Sequence, residues 1–195
     1  MIKNVCVFAS SCNYLEEIYY KEASELGKLL VQNSFDMIYG GSSLGLMWAC
    51  AEQIKLNGGK IIGVMPEKLY NLGVHTDQCV ELIVTNGIRD RKAKMDELSD
   101  AVIALPGGFG TLEELTEMIV QKQLGYNNKP IVLLNTNGFY NQLEEFFENI
   151  IMQNFAHKKS KDLYFIAQNP ESAVSYIKNY IPKDCVISKA SVYER

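Results

Sequence analysis

The chain has few histidines, no paired cysteines, no long apolar run and no surplus of positive charge, and each shortage removes a class of chemistry. Its two histidines, His75 and His157, lie far apart and show no metal-ligand partner pattern, so no metal is expected. The five cysteines (Cys6, Cys12, Cys50, Cys79 and Cys185) are odd in number, and none has Cys-x-x-Cys spacing. A reduced, cytoplasmic setting is the expectation. No apolar run approaches the length of a membrane span, and no basic segment with a long apolar stretch precedes Val5-Cys6-Val7-Phe8-Ala9, so neither a membrane nor a signal peptide is expected. With 19 Lys and Arg against 23 Asp and Glu, the formal net charge of -4 argues against a broad nucleic-acid surface. Local basic groups for a single phosphate remain compatible with it.

What is present is the make-up of an ordinary globular domain: 195 residues, 47% hydrophobic and 22% charged. Strand-like runs near 3–9, 35–39, 60–65, 80–84, 100–105, 130–134 and 163–167 alternate with helical patterns near 14–33, 44–57, 88–98, 111–124, 138–153 and 170–180. That alternation predicts an α/β fold with a mainly parallel sheet. Gly58-Gly59 and Asn128-Lys129-Pro130 punctuate helix-to-strand junctions. No repeat or linker divides the chain, so residues 1–181 read as one domain. Residues 182–195 read as a loosely held tail, or alternatively as a short final strand at Cys185-Val186-Ile187.

The most informative run is Leu105-Pro106-Gly107-Gly108-Phe109-Gly110-Thr111-Leu112-Glu113-Glu114. It follows the apolar strand Ala101–Leu105 and leads into a helix marked by Leu112, Leu115 and Ile119. Glycines at the carboxyl end of a parallel strand let the backbone approach a phosphate, and the first helical amides point at it. Thr111 adds a hydroxyl, and a helix opening there puts Glu114 one turn in on the same side. A second loop of similar design, Tyr39-Gly40-Gly41-Ser42-Ser43-Leu44-Gly45, follows another strand, and Ser10-Ser11-Cys12-Asn13 follows the first. Each reads equally well as an ordinary turn or helix cap.

Along 88–98, Ile88, Arg91, Met95 and Leu98 share one face, so Arg91 interrupts an apolar stripe. A buried guanidinium there implies a carboxylate or phosphate nearby; structurally, Arg91 instead snorkels from the edge of the stripe or pairs with Asp90 or Asp100. Glu114 taken alone reads as an acid that complements the helix dipole, as does Glu113. Beside a glycine loop and Arg91 it becomes a candidate catalytic carboxylate. Tyr14, Tyr19 and Tyr20 cluster at the first helix and fit packing, a subunit contact or base stacking. Trp48 fits either the core or a pocket wall.

Together these residues resemble the LOG family of cytokinin riboside 5'-monophosphate phosphoribohydrolases, historically mislabelled as lysine decarboxylases. The family's PGGxGTxxE motif corresponds to Pro106–Glu114 and its Arg-Lys pair to Arg91-Lys92; Tyr39-Gly40-Gly41 and Gly45-Leu46-Met47 also match. The resemblance implies a Rossmann-like three-layer homodimer that hydrolyses a purine nucleoside 5'-monophosphate, AMP or an N6-substituted relative, to base and ribose 5-phosphate without a cofactor. It also implies that Arg91 and Glu114 are the catalytic pair. The substrate-binding set is then Ser10, Ser11, Gly40, Gly41, Lys92, Gly107, Gly108, Gly110 and Thr111. Departures are Ala9-Ser10-Ser11-Cys12 where Cys-Gly-Ser-Ser is usual, Ser42 and Trp48 where glycine is common, and Ile88 where methionine is usual. They bear on base preference. A literal lysine decarboxylase would need pyridoxal phosphate on a lysine, for which Lys92 and Lys94 lack context. A nucleotide-binding or carrier protein with the same loops is the alternative of a different class.

Overall fold

A computed structural model describes residues 2–182. Its centre is a seven-stranded, all-parallel sheet: β1 (Asn4–Phe8), β2 (Asp36–Tyr39), β3 (Ile61–Pro66), β4 (Glu81–Thr85), β5 (Ala101–Ala104), β6 (Ile131–Leu134) and β7 (Phe165–Ala167). The helices are α1 (Glu17–Gln32), α2 (Gly45–Leu56), the single-turn α3 (Glu67–Tyr70), α4 (Ile88–Leu98), α5 (Phe109–Gln123), α6 (Asn141–Met152) and α7 (Pro170–Lys178). Short 3-10 segments occupy Thr136–Gly138 and Lys158–Leu163.

Beyond Asn4 and Asp36 at their entry ends and Gly63 within β3, the inner strands are apolar because helices cover both faces of the sheet. Their pleat divides the core in two. Val5, Val7, Met37, Tyr39, Ala101 and Ile103 face α1, α2 and α7, whereas Cys6, Phe8, Ile38, Val102 and Ala104 face α4 and α5. Each aliphatic side chain withdrawn from water contributes about 1.5–3 kcal/mol. Gly27 permits α1 and α2 to meet closely, since a Cβ there would lie 2.3 Å from the Cys50 carbonyl oxygen. At α7, Asn169 and Ser172 form a reciprocal capping box and Pro170 opens the helix.

Strand order β4-β3-β2-β1-β5-β6-β7 places the reversal of winding between β1 and β5. Phe8 pairs there with Ala104, so the segments after both strands flank one crevice, where open α/β sheets bind ligands. Helix starts differ from the sequence reading. The first begins at Glu17 rather than near 14, and α5 begins at Phe109, two residues before Thr111, because Gly108 already has the extended N-cap conformation. The turn α3 carries no amphipathic period long enough to be read. The tail at 183–195 and the alternative strand at 185–187 lie outside the described residues.

Candidate active site

The loop between β5 and α5 is held at its base and open at its tip. The Leu105 amide donates to the Phe8 carbonyl at 2.9 Å, and the Ser10 amide donates to the Pro106 carbonyl at 3.2 Å. The first helical bond runs from the Leu112 amide to the Gly108 carbonyl at 3.0 Å. The amides of Phe109, Gly110 and Thr111 therefore precede any acceptor within the helix and carry its positive dipole end. Gly107 must be glycine here, since a Cβ would come within 2.1 Å of Thr111 Oγ1, whereas Gly108 and Gly110 border open space. Ser10, Leu15, Tyr19, Gly107, Gly108 and Phe139 line a cleft of about 360 Å³ against this loop.

Beneath the helix start lies an ion pair. Glu114 falls about 40° around the helix from Gly110 and about 60° from Thr111, so its carboxylate sits below the open amides. Arg91 Nη1 donates to Glu114 Oε1 at 2.5 Å, with both side chains largely buried. Arg91 is held on two further sides: Nε donates to the Val64 carbonyl at 3.0 Å, and a Cβ on Gly40 would lie 2.8 Å from Nη2. Burial pushes the Glu114 carboxyl above its ordinary range, and the Arg91 guanidinium offsets that only in part. The Cys6 thiol is buried in the same field; burial, then Glu114, pushes it up, so the floor of the site carries a neutral sulfur.

The remaining predicted residues are placed differently. Lys92 pairs with Glu113 and Glu117, tying α4 to the flank of α5, and Lys94 pairs with Glu97 at 3.0 Å. Both lysines are committed to carboxylates. Asp100 binds the Lys3 and Asn4 amides rather than Arg91. Ile88 is 62% exposed, so the apolar stripe of α4 is shorter than its spacing suggested: Met95 is buried and Leu98 packs beside it.

The second glycine loop is closed. The Gly45 amide donates to Asn13 Oδ1 at 2.8 Å, and the Leu46 and Met47 amides reach the Ser10 carbonyl at 2.9 and 3.4 Å. Gly41 and Ser43 bond to the strap at 74–76 through Thr76 and Val74. Ser10 Oγ accepts from the Cys12 amide at 3.1 Å, and Ser11 is exposed at the rim. Trp48 packs against the core on the α1–α2 side. His75 stacks on Tyr70, and His157 Nδ1 accepts from the Lys159 amide. Among the described residues no group of three His, Cys, Asp or Glu side chains is placed to hold a metal, and no helix is long and apolar enough to cross a membrane. Sequence reasoning missed the Val64 carbonyl, Cys6, Leu15, Phe139 and Tyr140; the first is a backbone group with no residue signature, and the others resemble core.

A family pattern described as "Possible lysine decarboxylase" matches residues 47–177, spanning both Arg91 and Glu114. The chain is 38% identical over 188 residues to the probable cytokinin riboside 5'-monophosphate phosphoribohydrolase LOGL2 of Oryza sativa subsp. japonica, covering 96% of this chain and 77% of that one. It is 37% identical over 190 residues to LOG1 of Arabidopsis thaliana, a cytokinin riboside 5'-monophosphate phosphoribohydrolase, covering 97% and 89%. The chain belongs to the LOG family. Among solved structures, the LOG fold seen here is similar to the molybdenum cofactor binding protein of Rippkaea orientalis, with a TM-score of 0.72, 27% identity and coverage of 91% and 96%. A molybdenum cofactor carrier protein of Chlamydomonas reinhardtii gives 0.69 and 26%, covering 91% and 97%. The matched range holds both parts of the geometry: Gly107, Gly108 and Gly110 at the open helix start, and Arg91 and Glu114 in the ion pair.

Proposed function

We propose that this chain hydrolyses the N-glycosidic bond of a purine nucleoside 5'-monophosphate, AMP or an N6-substituted cytokinin-type relative, releasing the free base and ribose 5-phosphate. The observation that carries the reading is the buried Arg91–Glu114 pair directly beneath the open start of α5. The amides of Phe109, Gly110 and Thr111, the Thr111 hydroxyl and the Gly107-Gly108 backbone hold the 5'-phosphate. That anchorage fixes the ribose, so binding energy remote from the bond supports the reaction.

As the base departs with the glycosidic electron pair, positive charge develops on the ribose, and the Glu114 carboxylate stabilises it more than the ground state. Glu114 also orients water, whose hydroxyl bonds to the anomeric carbon while its proton passes to the carboxylate and on to the base. Arg91 holds the carboxylate and contacts the ribose or the leaving group. No electron is exchanged, so the step requires no redox cofactor.

Two copies form the working unit in this reading. Ile88 on α4, Phe109 and Val120 on α5, and Leu124 just after α5 are exposed apolar side chains that a second copy would cover, and sedimentation of the purified protein at dimer mass is the expected result. A cytoplasmic location is supported by the four free cysteines among the described residues.

The test is chromatographic detection of base and ribose 5-phosphate from AMP and isopentenyladenosine monophosphate, with Glu114→Ala as control. Products from the native protein but not the variant support hydrolysis. The likeness to cofactor carriers favours one other reading, a binding protein that releases nothing. Binding a phosphate needs no buried carboxylate beside it, and Glu114 therefore weighs toward hydrolysis; tight nucleotide binding without any product would reverse that judgement.

A further inference from the structure

The base of the glycine loop is gripped by a side chain that never reaches the cleft. Tyr140 lies between the 3-10 turn Thr136–Gly138 and α6, is 4% exposed, and donates its hydroxyl to the Leu105 carbonyl at 2.7 Å. Its backbone amide donates to Asn135 Oδ1 at 2.6 Å, and the Asn135 amide donates to the Ala167 carbonyl at 2.8 Å. The phenol is thus anchored to the ends of β6 and β7. Burial pushes the Tyr140 phenol up, which keeps it a donor.

The next carbonyl, of Pro106, accepts from the Ser10 amide. In a trans peptide the following N–H points away from the carbonyl. Two consecutive carbonyls held from opposite elements therefore set the direction of the Gly107 amide, at the edge of the cleft. Leu105 is completely buried, so its carbonyl without the phenol loses its partner and the strand end must shift to find another. The same turn carries Phe139, which lines the cleft and packs edge-on against Tyr140 at 5.0 Å.

We infer that Tyr140 is a positioning residue for the phosphate-binding loop, holding the Leu105 carbonyl so that the loop amides face the substrate's 5'-phosphate. The inference rests on the loop being the phosphate site of the proposed reaction. Its test separates anion binding from turnover. Ribose 5-phosphate is titrated calorimetrically into the native protein, Tyr140→Phe, and Tyr164→Phe as a remote phenol control, and the melting temperature and the kcat and KM for AMP are measured alongside.

Tyr140→Phe should bind ribose 5-phosphate roughly ten-fold more weakly and raise KM by a similar factor, with kcat changed less than about three-fold. Tyr164→Phe should match the native protein. If Tyr140→Phe does not fold, Asn135→Ala, which frees the same side chain at its backbone end, should show the same weakening. Unchanged affinity and KM with only a lowered melting temperature would overturn the inference, as would failure of the native protein to bind ribose 5-phosphate. Weakened binding by Tyr140→Phe in a protein that releases no base would sustain the role of Tyr140 while sinking the hydrolase reading.

Discussion

At the end of β2 the chain runs through Gly40, Gly41 and Gly45 into α2, and at the end of β5 it runs through Gly107, Gly108 and Gly110 into α5. Both connections join a buried strand to a helix start without a side-chain cap from the N-cap residue. At α2, Asn13 and the Ser10 carbonyl take the first amides; at α5 nothing within the helix does. A glycine-rich helix start is thus available to an anion only where its neighbours leave the amides unoccupied. The closed loop has a different value: Gly40 gives Arg91 the space to reach Glu114, so in the proposed reaction one loop offers the binding surface while the other seats the arginine below it.

The largest expected effect separates these roles at the carboxylate. Glu114→Gln keeps an acceptor for Arg91 yet loses the charge, so kcat should fall roughly 10²- to 10³-fold with ribose 5-phosphate affinity nearly preserved. Steady-state kinetics beside calorimetry checks it, and a change confined to KM would refute the role. At the open loop, Gly107→Ala forces the Thr111 side chain and the start of α5 to move, and kcat/KM should drop roughly 10²-fold. A native value would mean that the loop position is irrelevant to the reaction.

The pH profile bears on the same carboxylate. Because the folded Glu114 carboxyl of the free protein is raised above its ordinary 4.5, kcat/KM should rise with pH along a limb lying above that value. A limb at or below 4.5 would contradict the burial argument. The sign for stability is opposite: the folded state holds the extra proton between the two values, so ionisation costs stability as pH rises through that window.

At the closed loop the effects should be on folding. Gly45 has φ +59°, and a Cβ there would lie 2.5 Å from the Ser10 carbonyl oxygen, so Gly45→Ala should lower stability by about 2 kcal/mol. Denaturant unfolding measures this. Asn13→Ala removes one bond to α2 and should cost about 1 kcal/mol, with ribose 5-phosphate affinity within roughly two-fold of native. A ten-fold affinity loss in Asn13→Ala would erase the distinction between the loops.

Much of this was legible in the sequence because strand burial and helix period write themselves in residue types. All seven strands, six of the helices and the motif that ends in Glu114 followed from apolar runs, glycines and one misplaced arginine. The closure of the second loop did not. The Leu46 and Met47 amides are taken by a main-chain carbonyl from a segment more than thirty residues earlier in sequence, and a carbonyl has no letter. For the same reason the hold of Val64 on Arg91 was invisible. Lys92 stands next to Arg91 in the motif, yet a step of about 100° around α4 carries it to Glu113 and Glu117.

Ser10 carries one more lesson. Its amide serves Pro106, its carbonyl serves Leu46, and its hydroxyl turns back to Cys12 within its own turn. The parts that join the two loops belong to the backbone, which every residue but proline supplies in full. Any residue but proline at position 10 therefore supplies both bonds, and the joint between the two loops does not depend on the serine side chain.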